Sequence, residues 1–97
     1  MEFTVRAGVH NHVPIVLQDT NGVRRDARAL NLRFEIGDLL VLTPGPGLDD
    51  PLNRSVTFDP ATINLLGSEP QAFQLIEIVA GERIFLGGGY LRVEGDC

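Results

Sequence analysis

The chain predicts an all-β domain, an antiparallel β-sandwich of about seven or eight short strands. Three observations lead there. Apolar and polar residues alternate with period 2 along most of the length, turn-forming residues recur every roughly 8–12 residues, and no segment shows helical spacing cleaner than its alternation. The 97 residues suit one unit, residues 1–97, with a single core and no need for disulfide or metal staples.

The first strand is "EFTVRA", where Phe3, Val5 and Ala7 point inward and Glu2, Thr4 and Arg6 outward. "HVPIVLQ" repeats the pattern with Val13, Ile15 and Leu17 inward. Pro14 has no N–H to give a ladder, so this strand belongs at an edge or a bulge. Asn21-Gly22 tolerates the positive φ of a tight turn and predicts a chain reversal. "RALNLRFEI" then places Leu30, Leu32, Phe34 and Ile36 inward, although Ala27, Leu30 and Phe34 also have the spacing of a competing helix. "LLVL" is a continuous apolar run, as expected of a strand buried on both faces. "TPGPGLDDPLNR" holds too many Pro and Gly residues for a regular element and is expected to be the long loop of the domain.

"SVTFD" follows as a strand with Val56 and Phe58 inward, and "PATINLLG" as a single turn or short connector capped by Asp59 or Thr62. The remaining segment predicts a terminal hairpin plus a last strand, with turns at Ala80-Gly81-Glu82 and Gly87-Gly88-Gly89. Within 71–79, Phe73, Leu75 and Val79 share one face while Ile76 and Ile78 lie on the other. Either the strand bulges or both of its faces are covered. The whole pattern favours an immunoglobulin-like sandwich, with a small barrel as the competing closure.

Composition narrows the function. Thirteen acidic against eight basic residues give a net charge of −5, which repels a phosphate backbone and argues against nucleic-acid binding. All eight basic residues are Arg, and Arg24, Arg25 and Arg28 form a local cluster that fits a solvated turn. The one cysteine, Cys97, allows no internal disulfide and no Cys-based zinc site. "MEFTVRAG" has no apolar run and does not resemble a signal peptide. No apolar run approaches the roughly 20 residues of a membrane span.

The segments with apparent chemistry each have a plainer reading. His10-Asn11-His12 lacks the later residues and helix of the nuclease motif spelled by those letters. As a metal pair, His10 and His12 lack a recognisable third ligand. Asp49-Asp50 lacks the spacing of a calcium loop. "GGGY" follows a strand but opens no helix, so no helix N-terminus is there to hold a phosphate; a hinge or bulge suffices. Ser55, Ser68, Thr43 and Tyr90 have no recognisable base. The expectation is therefore a non-enzymatic domain with no catalytic residue, no cofactor and no bound metal.

The order of segments does resemble a known family. A strand ending in Ala7-Gly8, "VPIVLQD" running into Thr20-Asn21-Gly22, "NLRFEI", a variable loop, "SVTFD", "AFQLIEIVAGER" and "IFLGGGYLRVEGD" are together similar to the small immunoglobulin-like domain of tailed-phage virion proteins, such as the N-terminal domain of baseplate upper and tail-fibre adaptor subunits. The resemblance implies a virion structural subunit, made in the host cytoplasm without a signal peptide. Its partners would be other tail, baseplate or capsid proteins, or further copies of itself in a symmetric assembly, with no nucleic acid and no membrane.

Docking residues expected from the sequence are Val16, Ile76 and Ile78, which alternation leaves on the outer face, and Pro44, Pro46 and Leu48 of the Pro/Gly loop. A second expectation, from a different class, is a ligand-binding module for carbohydrate. It is weakened by the absence of Trp and by the inward prediction for Phe3, Phe34, Phe58 and Phe73, because sugar sites stack on aromatic rings.

Overall fold

The alternating segments form two packed sheets in the computed structural model, which describes residues 2–18, 20–23, 25–47, 52–67 and 69–95. In chain order the elements are β1 (Glu2–Arg6), β2 (Asn11–Ile15), β3 (Leu32–Ile36), β4 (Leu40–Leu42), β5 (Gly45–Pro46), β6 (Arg54–Phe58), α1 (Pro60–Leu66), β7 (Gln71–Val79) and β8 (Glu82–Glu94). One sheet has the order β1-β8-β7-β3-β4, the other β2-β6-β5. Consecutive strands switch sheets four times, between β1 and β2, β2 and β3, β4 and β5, and β6 and β7, as a β-sandwich built from one chain requires. β1 lies parallel to β8, with Glu2 beside Tyr90 and Arg6 beside Glu94; the other pairings are antiparallel.

The inward sets chosen by alternation meet in one core. Val5, Ile15, Leu32, Phe34, Ile36, Val56, Phe58, Phe73, Leu75 and Leu91 are buried together, each contributing roughly 1.5–3 kcal/mol of transfer free energy when fully desolvated. Phe3 joins Phe34, Phe58 and Phe73 with ring centroids 5.0–6.3 Å apart, within the range where rings attract beyond their buried area. Pro14 sits on an edge strand, as its missing N–H requires. α1 starts where Asp59 accepts a 2.7 Å bond from the Thr62 N–H, with Pro60 at its first turn, and buries Ile63 and Leu66 against the core.

Four expectations change. The Asn21-Gly22 turn forms, with Gly22 at φ 80° and the Arg25 N–H bonded to the Leu17 carbonyl, but β2 and β3 are not a hairpin. The connector crosses between sheets and is pinned midway by buried Ala27, whose N–H reaches the Leu52 carbonyl. "LLVL" is not buried on both faces: β4 is an edge strand, and Leu39 and Val41 face solvent. The Pro/Gly loop contains the two-residue strand β5, with Gly45 beside Ser55.

Gly87-Gly88-Gly89 is no turn. None of the three has positive φ, and they pair with Leu75, Gln74 and Phe73 inside the 13-residue β8. The real reversal is the two-residue turn Ala80-Gly81, both at positive φ (51° and 82°), as a type I′ hairpin needs. A register shift opposite Leu75/Ile76 leaves Leu86 as an extra residue on β8, which is a β-bulge.

Candidate functional site

The residues expected to dock are not brought together. Val16 is 48% exposed near the β2 edge, and Pro46 is exposed at β5. Ile78 is half-buried on the outer face of the five-stranded sheet. Leu48, like Asp49, Asp50 and Pro51, lies outside the described residues. Pro44 and Ile76 are corrections, because both are buried.

Pro44 is held by Arg54, whose guanidinium donates to the carbonyls of Pro44, Gly45, Ala27 and Leu30. One cation thereby ties the β2–β3 connector and β5 to β6. Ile76 does sit on the outer face, but it is only 4% exposed. Its register partners are Arg33 and Phe85. Arg83, opposite Ile78, reaches across the Ile76 row to Glu35, opposite Gln74, and that ion pair roofs the isoleucine. Long Arg side chains cover apolar surface in this way.

Two exposed groups that alternation does not assemble stand out instead. The first is the free end of the β7–β8 hairpin, where Val79 and Ile84, on the same side of the strands as Phe73 and Leu75, remain exposed. β1 accompanies β8 only from Tyr90 onward, so among the described residues no strand pairs with the other side of β8 from Glu82 to Gly88. The second group lies on the outer face. Phe85, 64% exposed, and Tyr90, 56% exposed, flank Gly88 along one strand.

By plain alternation, residues 85 and 90 fall on opposite faces. The Leu86 bulge shifts the phase and puts both rings on the same one, opposite Ile76 and Ala72. The only signal in the sequence was the glycine run itself, which marks a bulge as readily as a turn.

Polar groups adjoin these rings. Glu35 receives two bonds from Arg83, of 2.6 and 2.8 Å, and one of 2.8 Å from the Gln74 amide. The Arg83 bonds first, and the Gln74 bond second, hold the Glu35 carboxyl down at about 2, so at neutral pH it is an ionised acceptor with a fixed direction. Beside it lies a shallow hollow of about 300 Å³ lined by Glu35, Gly37, Asp38, Ala72, Phe73 and Gln74.

Elsewhere the polar side chains are used structurally. Asn11 exchanges two 2.9 Å bonds with the backbone of Arg6 and so closes the β1–β2 turn. His12 Nδ1 lies 2.9 Å from Thr57 Oγ1 in a cross-strand hydrogen bond. Ser55 donates to the Pro46 carbonyl. In the basic cluster, Arg28 is paired with Asp26 at 2.6 Å and Arg25 lies 3.9 Å from Glu77; Arg24 lies outside the described residues. Among the described residues no three His, Cys, Asp or Glu side chains converge.

Neither a protein-family model nor a curated protein sequence matches the chain.

Proposed function

We propose that this domain is a non-enzymatic assembly subunit of a tailed-phage virion, acting by docking onto tail, baseplate or capsid proteins in a multi-copy, symmetric arrangement. The observation that carries the reading is the uncovered end of the β7–β8 hairpin. Val79 and Ile84 are exposed there on one face of the hairpin end, and among the described residues the adjoining edge of β8 is unpaired over Glu82–Gly88. Three other edges are guarded: β2 carries Pro14 on its edge, β5 is two residues long and β4 three. Short length and Pro are the usual protections of a free edge. An edge left unpaired next to apolar side chains suits strand addition, where backbone bonds give affinity and alternate side chains give specificity. The segment order, which resembles that of virion immunoglobulin-like domains, supports the phage setting.

The test is incorporation. A chain carrying Val79→Lys and Ile84→Lys, each at an exposed position opposite a glutamate (Glu82 and Glu77), should melt like the wild type, because opposite charges face each other across the strands, yet be missing from particles assembled in its presence and purified on a density gradient. Wild-type incorporation of the double variant would overturn the docking role of the hairpin end.

A further inference from the structure

We propose that two copies of this chain pair with each other, antiparallel and about a twofold axis, through the unpaired stretch of β8 from Glu82 to Gly88, and that each copy closes a cleft in the other. The inference rests on the strand-addition reading above and names whose strand is added: that of a second copy.

The edge calls for two things in its occupant. Among the described residues, the side of β8 away from β7 has no strand beside it until β1 joins at Tyr90. Its free N–H and C=O groups there are a template for another extended backbone. Beside that edge the sandwich is open. A cleft of about 160 Å³ lies between the two sheets, lined by Val16 and Leu17, which follow β2, and by Leu75, Leu86 and Gly87 of the five-stranded sheet. Val16 is left 48% exposed. An apolar cavity of about 150 Å³ admits a benzene ring, so a cleft of this size takes one aliphatic side chain. The fitting occupant is therefore a strand with an apolar residue on its inner side.

β8 itself has that form. The stretch reads Glu-Arg-Ile-Phe-Leu-Gly-Gly, with Ile84 on the inner side, opposite Glu77, and Phe85 on the outer side, opposite Ile76. Laid antiparallel on a second copy with Phe85 at the twofold axis, its three apolar residues meet one another. Phe85 faces the partner's Phe85, and Ile84 falls beside the partner's Leu86, at the mouth of the cleft that Leu86 lines. Glu82 and Arg83 pass to the two ends of the paired stretch, alongside glycines, so neither meets a like charge. Parallel pairing in register would instead set Glu82 against Glu82 and Arg83 against Arg83, which opposes it. The order of charges thus selects the antiparallel, self-complementary arrangement of a twofold dimer. Charge also favours this edge over the rest of the surface. The chain carries −5 overall, which keeps copies apart, but this stretch has one acid and one base and no net charge.

The test uses the intact chain. Light scattering from about 5 μM to about 1 mM should show the mass rising from one chain to two and no further, with a Kd on the order of 100 μM, the weak affinity of a small interface. Over the same series the ¹H–¹⁵N shifts of Glu82–Gly88, Val16 and Leu17 should move and those of the opposite edge strand, β4, should not; this map needs no variant. Phe85→Glu, at a position 64% exposed, should melt like the wild type and stay monomeric throughout, because it sets two acids against each other at the axis. The proposal is overturned if the wild type is monomeric at the top of the series, if the shifts lie at another edge, or if folded Phe85→Glu dimerises as the wild type does. The pairing and the docking role fail separately. A monomeric wild type whose Val79→Lys, Ile84→Lys variant is missing from particles overturns the pairing and leaves the edge to a strand of another protein. A dimeric wild type whose variant enters particles keeps the pairing and loses the docking role.

Discussion

Adding one methyl group at Gly88 measures how closely β7 and β8 approach at the glycine run. A Cβ there would stand 2.6 Å from the Phe73 carbonyl oxygen, where ordinary contact begins at 3.4 Å. The strands must therefore separate by about 0.8 Å, the difference between those distances, and the clashing atom is backbone that cannot rotate aside. Forcing extra volume into a close-packed contact costs roughly 1–3 kcal/mol. In a domain of this size each kcal/mol lowers Tm by roughly 4–8 °C, so Gly88→Ala should melt about 10 °C below the wild type. Gly87→Ala is the internal control, because a Cβ at its position meets nothing within 4 Å. It should be neutral or stabilising by up to about 1 kcal/mol, since alanine has less unfolded-chain freedom to lose. Urea unfolding of both variants, at unchanged m-value, gives the comparison. If Gly88→Ala matches the wild type, or the two variants are equally destabilised, the close approach of the strands is refuted.

Two further predictions concern charge and capping. Asp59→Ala removes the acceptor for the Thr62 N–H at the start of α1 and should cost about 1 kcal/mol, read as a lower urea midpoint; an unchanged midpoint would mean the cap contributes nothing. Glu35 is held at about 2 against an ordinary value of 4.5. A depressed carboxyl stabilises the fold fully above pH 4.5, and that contribution is lost as pH falls from there toward 2. The urea midpoint of the wild type should fall over that window more steeply than that of Glu35→Gln, and less so in high salt because the pair is exposed; identical pH profiles would sink the assignment.

The fold was legible where one physical signal dominated. Phe3, Val5, Val13, Ile15, Leu32, Phe34, Ile36, Val56 and Phe58 face inward because a pleated strand with one wet face must alternate. Pro14 marks an edge because it has no N–H to give, and Asp59 caps α1 because its side chain satisfies a free N–H. The residues expected to dock were less legible. Ile76 has the right parity to be an outer residue, but the Arg83–Glu35 pair that covers it joins β8 to β3, 48 positions apart. Pro44 reads as loop, yet Arg54 gathers four carbonyls around it.

By itself, then, the sequence determined the strand content, the inward face of most strands and the acidic surface, because local alternation and composition are sufficient for these. Tertiary structure alone decided that β2 and β3 belong to different sheets, that the glycine run continues a strand, and that Phe85 and Tyr90 share a face. Each depends on which strand lies alongside. A single bulge residue, Leu86, reverses the parity of everything beyond it, and only the partner strand β7 shows where that reversal falls.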